Sequence, residues 1–502
     1  MKRLFCATLN GIDADSVEVE VSFSRGIPKV SIVGLPTGAI QESKERVRSA
    51  LLSNGFRFPP QNITINLSPS DLKKNGSHFD LSIALGIALH DYEEIDLSNW
   101  YIFGELGLDG GLKDTKQIFP TILSLKSQGA IKNIAVPKES LPKVEKIPDM
   151  NIFGVESLQE AIEFFRGMIE IPKAVSGSIA GESIKIDDEV FHFNREFSDN
   201  FREIKGQKVA LRGTLIASAG MHNIILEGSP GSGKSMIAKR INGILPPVSS
   251  EELLQVAKFE AIDGEEPKFE PSRPFRSPHH TASRGSIFGG GTTTAKVGEV
   301  TLANGGTLFF DELPHFSKPI LEALREPLQD YSILVSRVNT KIKYPANFLF
   351  VGAMNPCPCG YKLSKTRECR CSEIEVKRYR NRLSEPFLDR IDIHIYMQES
   401  SFDDQPSTSS EEMQDQILKA FQMQKSRGQK NLNGRLTDSE LNRFIQLDED
   451  SEKILRDASS RFDLSFRAIN KVKKVARTIA DLDSSVSINR KHILEALSFR
   501  KR

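Results

Sequence analysis

From residue 16 to 24 the chain reads SVEVEVSFS, with apolar and polar side chains alternating at the period of a strand that buries one face. KVSIVGL (29–35) and NITINLS (62–68) predict further strands, and GAIQESKERVRSALLSNG (38–55) has the spacing of an amphipathic helix stopped at Gly55. LSIALGIAL (81–89) is apolar on every side and reads as a buried helix, and FPTILSLKSQGA followed by KNIAVPK predicts one more helix–strand pair. Strand and helix signals thus alternate through residues 1–167, the pattern of an α/β domain. Residues 168–200 are mixed and acidic and read as a linker. From 201 to 398 the pattern changes. NIILEG, GTLFFDE and NFLFVGAMNP carry short unbroken apolar runs, as in parallel strands covered on both faces. A second polar linker, 399–412, leads to 413–502, where ILKAFQMQ, ILRDASSRF and FRAINKVKKVARTIADL have helical spacing and predict a small helical domain.

Composition narrows the picture modestly. A length of 502 residues accommodates about three domains. The balance of 67 basic against 66 acidic residues leaves any polyanion site to local segregation of charge. No apolar run approaches the roughly 18–20 residues that span a bilayer, and MKRLFCATLNGIDADS lacks a long signal core, so no membrane partner and a cytoplasmic location are expected. Four of the five cysteines lie between 357 and 371, which points to a metal or redox site rather than a disulfide scaffold. Cys6 reads as a core thiol.

Three apolar runs end in chemistry. Gly228-Ser229-Pro230-Gly231-Ser232-Gly233-Lys234-Ser235 satisfies G-x-x-x-x-G-K-[ST] between a strand and a helix marked by Ile237, Ile241 and Ile244. Such a loop curves backbone N–H groups around phosphates, with Lys234 reaching the β- and γ-phosphates of ATP and Ser235 suited to Mg2+. TLFFDE delivers Asp311, a second Mg2+ ligand, and Glu312, a base for the attacking water. Asn355, after the third run, either orients that water or caps the turn before Pro356. In EPFLDRIDIH, Arg390 is either a surface arginine or one that reaches a neighbouring subunit's nucleotide. Cys357, Cys359, Cys369 and Cys371 form C-x-C and C-x-C, whose four thiolates suit a closed, structural Zn2+ site.

The order of glycine loop, FFDE, AMNP, FLDR and LSFRA resembles AAA+ ATPases of the clade holding magnesium-chelatase subunits and MCM helicases. GLPTGAIQESKERVRSAL, SPHHTAS, FFDELPHF, LREPLQD, AMNPCPCG and LSEPFLDRID are similar to the magnesium-chelatase-like YifB/ComM family along essentially the whole chain. The resemblance implies an AAA+ parallel-sheet core with a C-terminal helical lid, in a ring of six copies. It makes Asn355 the sensor asparagine, Arg390 a finger acting in trans and Arg467 the lid's sensor arginine. It also implies a helicase that drives branch migration of DNA in natural transformation, working alongside a recombinase or other DNA-processing partners.

Two acid-free stretches supply candidate contacts to single- and double-stranded DNA. Residues 271–298 carry Arg273, Arg276, Arg284 and Lys296 with His279 and His280, and 331–345 reads as a hairpin carrying Arg337, Lys341 and Lys343. Alone these are solvated loops; around a ring axis they form a basic funnel. Residues 1–167 resemble the Lon-type (S5) proteolytic domain, but the nucleophile position falls on His78, with Ser77 one place early. The lysine position falls near Phe119, with Lys113 and Lys116 displaced, so a non-proteolytic scaffold is expected. Three other readings stay open: magnesium insertion into a tetrapyrrole, ATP-fuelled proteolysis, and a scaffold that binds ATP only to assemble.

Overall fold

The computed structural model describes residues 2–56, 58–130, 133–177, 179–290, 297–336, 341–399, 401 and 403–500. The chain forms two compact units, Met1–Ile179 with Ala257–Phe269, and Ala180–Val256 with Glu270–Arg502.

The first unit is built on a seven-stranded mixed sheet. Its spatial order is Lys29–Val33, Asn62–Ser68, Asp13–Ser24, Lys2–Asn10, Trp100–Ile102, Asn133–Pro137 and Asn151–Val155. The alternation read from the sequence is the burial pattern: Val17, Val19 and Val21 are buried while Ser16, Glu18, Glu20 and Ser22 between them are not. Helix Gly38–Ser53 covers the sheet through Ile40, Val47, Ala50 and Leu51, and Gly55 just beyond it adopts φ +79°. Every residue of helix Asp80–Ala88 is buried. The Ser77 hydroxyl is hydrogen-bonded to Glu105, and Lys116 Nζ donates to the Gly264 carbonyl. His78 is fully buried with Nε2 on the Ala7 carbonyl at 2.8 Å, and burial lowers its pKa to about 4.

The second unit contains a five-stranded parallel sheet in the order Phe275–Arg276, Thr307–Phe310, Leu349–Met354, Ile224–Glu227, Ile393–Tyr396. The three predicted apolar strands are its centre, and each of their residues is buried. Two expectations change. The stretch expected to be linker folds as a hairpin, Glu182–Ile186 with Glu189–Phe193, which pairs onward with Val248–Ser249. Its two-residue turn places Asp187 at φ +51°, and Phe191 stacks edge-on to Phe421 at 5.0 Å. The C-terminal helices do not form a separate body either. Val472, Val475, Ala476, Ile479 and Ile493 share one core with Ile224, Leu226, Ile393 and Ile395 of the sheet.

Candidate functional site

A parallel sheet sets its strand ends side by side, and ligands of open α/β sheets lie beyond the carboxyl ends. Here Glu227 pairs with Met354, and Phe310 with Gly352, so the residues that follow these strands emerge on one rim. Those residues are Gly228, Asn355 and Asp311. The Gly228 N–H donates to the Met354 carbonyl at 3.2 Å, which ties the phosphate loop to the strand preceding Asn355.

The loop itself needs its glycines. Gly231 and Gly233 have φ of +81° and +90°, and a Cβ on Gly228 would sit 2.7 Å from Ser232 Oγ. That Ser232 hydroxyl is buried with no hydrogen-bond partner among the described residues, a donor suited to a phosphate oxygen. Helix Lys234–Ile241 starts at the loop's end and is anchored by the buried side chains of Ile237 and Ile241. Lys234 Nζ bonds the Gly228 and Ser229 carbonyls at 2.7 and 2.9 Å. Burial lowers its pKa, and the Asp311 charge opposes that shift.

Ser235 Oγ donates to Asp311 Oδ2 at 2.9 Å, so the two groups assigned to Mg2+ already touch although they lie 76 residues apart. Hydroxyl plus carboxylate is an all-oxygen donor set that fits this hard ion. Asp311 Oδ1 accepts the Glu312 N–H at 2.9 Å, and Glu312 occupies the left-handed region at φ +50°. A strained non-glycine backbone at a strand end is a frequent mark of a working site. Asn355 itself is half-buried just past its strand end, and burial raises the pKa of the Tyr379 phenol to about 12.

Two neighbours of this rim were not placed at it from the sequence. Glu227 is buried one residue before the loop and accepts hydrogen bonds from Arg380 at 2.7 Å and His394 at 2.9 Å, partners 153 and 167 positions away. His280, in SPHHTAS, places Nδ1 3.7 Å from the Glu312 carboxylate, and its ring lies tilted against that of His279 with centroids 4.2 Å apart. Only the doubled histidine hinted at it.

Arg390 and Arg467 come together elsewhere. Both line a cavity of about 760 Å³ with Arg435, Lys471 and Lys474, and no residue of the phosphate loop or the Asp311–Glu312 pair lines it. Arg390 donates to Gln329 at 2.8 Å, and its pKa is lowered by burial and by the nearby Arg467 charge.

The basic residues assigned to DNA divide. Arg273 is buried: Nε and Nη2 hold the Pro246 and Pro247 carbonyls at 2.8 Å each, and Nη1 holds that of Gly305. Its guanidinium is a clamp inside the fold rather than a surface charge. Arg276 is paired with Glu299 at 2.5 and 3.0 Å. Arg284 is exposed at the start of helix Arg284–Phe288. The second stretch is the predicted hairpin, Ser332–Ser336 with Lys341–Pro345, on which Lys343 is exposed. Lys296, Arg337 and the Lys341 side chain lie outside the described residues. The sulfurs of Cys357, Cys359, Cys369 and Cys371 lie within 4.8 Å of one another, a grouping that could hold a metal ion. No helix among the described residues is long and apolar enough to cross a membrane.

Comparison with known proteins gives the family. Residues 200–405 match the family described as magnesium chelatase, subunit ChlI, and 407–500 match its C-terminal part. Residues 19–140 match a further family, subunit ChlI of Mg-chelatase. The chain is 37% identical over 501 residues to competence protein ComM of Haemophilus influenzae, covering 98% of this chain and 95% of that protein. It is 37% identical over 507 residues to YifB of Salmonella typhimurium, again covering 98% and 95%. A Mycobacterium tuberculosis relative is 32% identical over 511 residues, covering 99% and 98%. With the phosphate loop, the Asp311–Glu312 strand end and this full-length likeness in one chain, it belongs to the magnesium-chelatase-like AAA+ ATPases of the ComM/YifB family.

Proposed function

We propose that copies of this chain assemble into a ring, six by family resemblance, that hydrolyses Mg–ATP between subunits and moves along DNA as a branch-migration helicase. The carrying observation is the separation of two half-sites. Lys234, Ser235, Asp311, Glu312 and Asn355 belong to one sheet rim, whereas Arg390 and Arg467 line a different cavity. That cavity carries five basic and three acidic side chains, a surplus that suits the phosphates of a neighbour's nucleotide. A head-to-tail contact that closes on itself brings one copy's arginines to the next copy's phosphate loop, as an arginine finger requires.

DNA as the load rests on Arg284 and Lys343, exposed in stretches free of acids, together with Lys296, Arg337 and Lys341 of the same stretches. Arg273 and Arg276 are left out because their guanidinium groups are engaged within the fold. A role in natural transformation is taken from the name of the competence protein relative, and its assignment to homologous recombination from the family resemblance. Residues 1–167 act as a non-proteolytic scaffold, and the four cysteines hold one structural Zn2+. The test is ATPase, strand-displacement and branch-migration activity with Lys234→Ala as control. A chain that stays monomeric with ATP and DNA present and never moves a three-stranded junction refutes the proposal.

The match to a magnesium-chelatase subunit favours one second reading, an ATPase serving metal insertion into a tetrapyrrole. Stimulation of ATP turnover by porphyrin and Mg2+ but not by DNA would select it.

A further inference from the structure

From Cys357 through Cys371 the chain runs for 15 residues without a helix or strand, a length at which a loop needs a reason to hold its shape. Its course is nevertheless fixed. The Gly360 N–H bonds the Cys357 carbonyl at 3.0 Å, Arg367 bonds the Tyr361 hydroxyl at 2.8 Å, and the Lys365 N–H bonds Glu399 at 3.0 Å. At the centre lie the four sulfurs. Cys357 is 3.4 Å from Cys359 and 3.6 Å from Cys369, and Cys359 is 3.6 Å from Cys369. A tetrahedron with Zn–S bonds of about 2.3 Å has edges of about 3.8 Å, so these separations need only a small expansion.

A backbone donor also faces the cluster: the Cys359 N–H lies 3.4 Å from Cys371 Sγ. Such a donor stabilises a thiolate ligand and holds it in place. Four protein ligands close the coordination shell, so the ion has no position for a reacting water.

Both ends of this loop terminate on the nucleotide site. Near its start Gly360, φ +85°, lies so close to the phosphate loop that a Cβ there would be 2.6 Å from Pro230 Cδ and 2.7 Å from Cγ. At its exit Ser372 caps helix Glu373–Arg380 in a reciprocal capping box with Glu375. That helix returns Arg380 to Glu227, the residue before the loop, at 2.7 Å. The cysteine loop is therefore a strap laid across the phosphate loop and fastened beside it.

We propose that Zn2+ held by Cys357, Cys359, Cys369 and Cys371 fixes the phosphate loop in its nucleotide-binding shape through the Gly360–Pro230 contact, so that ATP affinity depends on the metal. This deepens the zinc reading above and rests on it. Without the ion the strap gains conformational freedom, and Pro230 loses the surface that confines it.

The experiment uses the full-length chain. Elemental analysis should find about one zinc per chain. Releasing the metal with a mercurial and a chelator should weaken binding of a fluorescent ATP analogue by roughly tenfold or more, and Zn2+ should restore it. Gly360→Ala keeps all four ligands. It should retain zinc and the far-UV spectrum while binding the analogue about tenfold more weakly. This variant covers the case in which cysteine substitutions simply unfold the chain. Zinc far below one per chain overturns the zinc reading and the coupling with it. Full zinc with unchanged ATP affinity after removal, or in Gly360→Ala, overturns the coupling alone and leaves the ATPase and zinc readings standing.

Discussion

Arg273→Ala separates a structural arginine from a DNA-contacting one. The wild-type guanidinium serves three carbonyls, those of Pro246, Pro247 and Gly305, in a site where its side chain is 6% exposed. Its further neighbour Glu252, at 3.5 Å, is half-exposed and contributes little. Removing a charged donor from three buried acceptors costs about 1–2 kcal/mol each after partial rehydration, about 4 kcal/mol together. For a unit of this size that lowers the melting temperature by roughly 10 °C. The loss should appear by calorimetry in the second unit. Trp100, the chain's one tryptophan, lies in the first unit and its fluorescence reports that unit separately. Arg284→Ala and Lys343→Ala, at exposed positions, should melt within about 0.5 kcal/mol of wild type. They should instead reduce the salt dependence of DNA binding by about one counterion per lost phosphate contact. If Arg273→Ala melts like wild type yet loses DNA as these two do, the clamp reasoning is wrong.

Glu312→Gln should bind ATP with near wild-type affinity and lose at least about 100-fold in turnover, whereas Lys234→Ala should lose binding itself; equilibrium titration beside steady-state hydrolysis distinguishes them. Arg390→Ala should lower turnover by about 10³-fold. Mixing it with Lys234→Ala should restore part of the activity, because some interfaces then pair an intact loop with an intact finger; no recovery on mixing argues against a shared site. His78 is neutral and buried with a pKa of about 4, so the unfolded chain, with its histidine near 6.5, binds the proton first as pH falls. Stability of the first unit is therefore full above pH 7 and declines below 6.5, by about 2 kcal/mol at pH 5. Urea midpoints followed by Trp100 should show this slope in wild type and a shallower one in His78→Gln.

What could be read in advance was whatever lies contiguous in the chain. The phosphate loop, TLFFDE and the three apolar strands each declare themselves within ten residues, because a buried parallel strand and a glycine turn leave local marks. The hairpin at Glu182–Phe193 was equally local, with ESIKI and EVFHF flanking Asp187 and Asp188, but its acidic surroundings masked the alternation. Glu227 with Arg380 and His394 could not be read, since only sheet order brings strands Ile224–Glu227 and Ile393–Tyr396 side by side. Arg273 misled for a related reason. Its partners are backbone carbonyls, which every residue possesses, so the absence of nearby acids looked like a solvated basic surface when the acceptors were the main chain itself.

The same distinction bears on how the site is controlled. The groups assigned to phosphate and metal lie at or just beyond the ends of three neighbouring strands that are buried throughout, and their spacing is fixed by the fold of one chain. Glu227 reinforces this: a carboxylate 3% exposed, held by two cationic or hydrogen-bonding partners, pins the last residue before the loop to the neighbouring strand and helix. Arg390 and Arg467 are held differently. Arg467 is exposed, and Arg390 rests on Gln329 and a backbone carbonyl with its Nε unpaired among the described residues. Replacing those weak partners by a triphosphate costs little, whereas Lys234 is tied to the Gly228 and Ser229 carbonyls and Asp311 to the Ser235 hydroxyl. The proposed ring thus combines a rigid half-site that binds nucleotide with a yielding half-site whose arrival sets the moment of hydrolysis. Glu227→Gln should expose the difference by weakening nucleotide binding, whereas Gln329→Ala should leave binding intact and change turnover alone; equal effects on binding would remove the distinction.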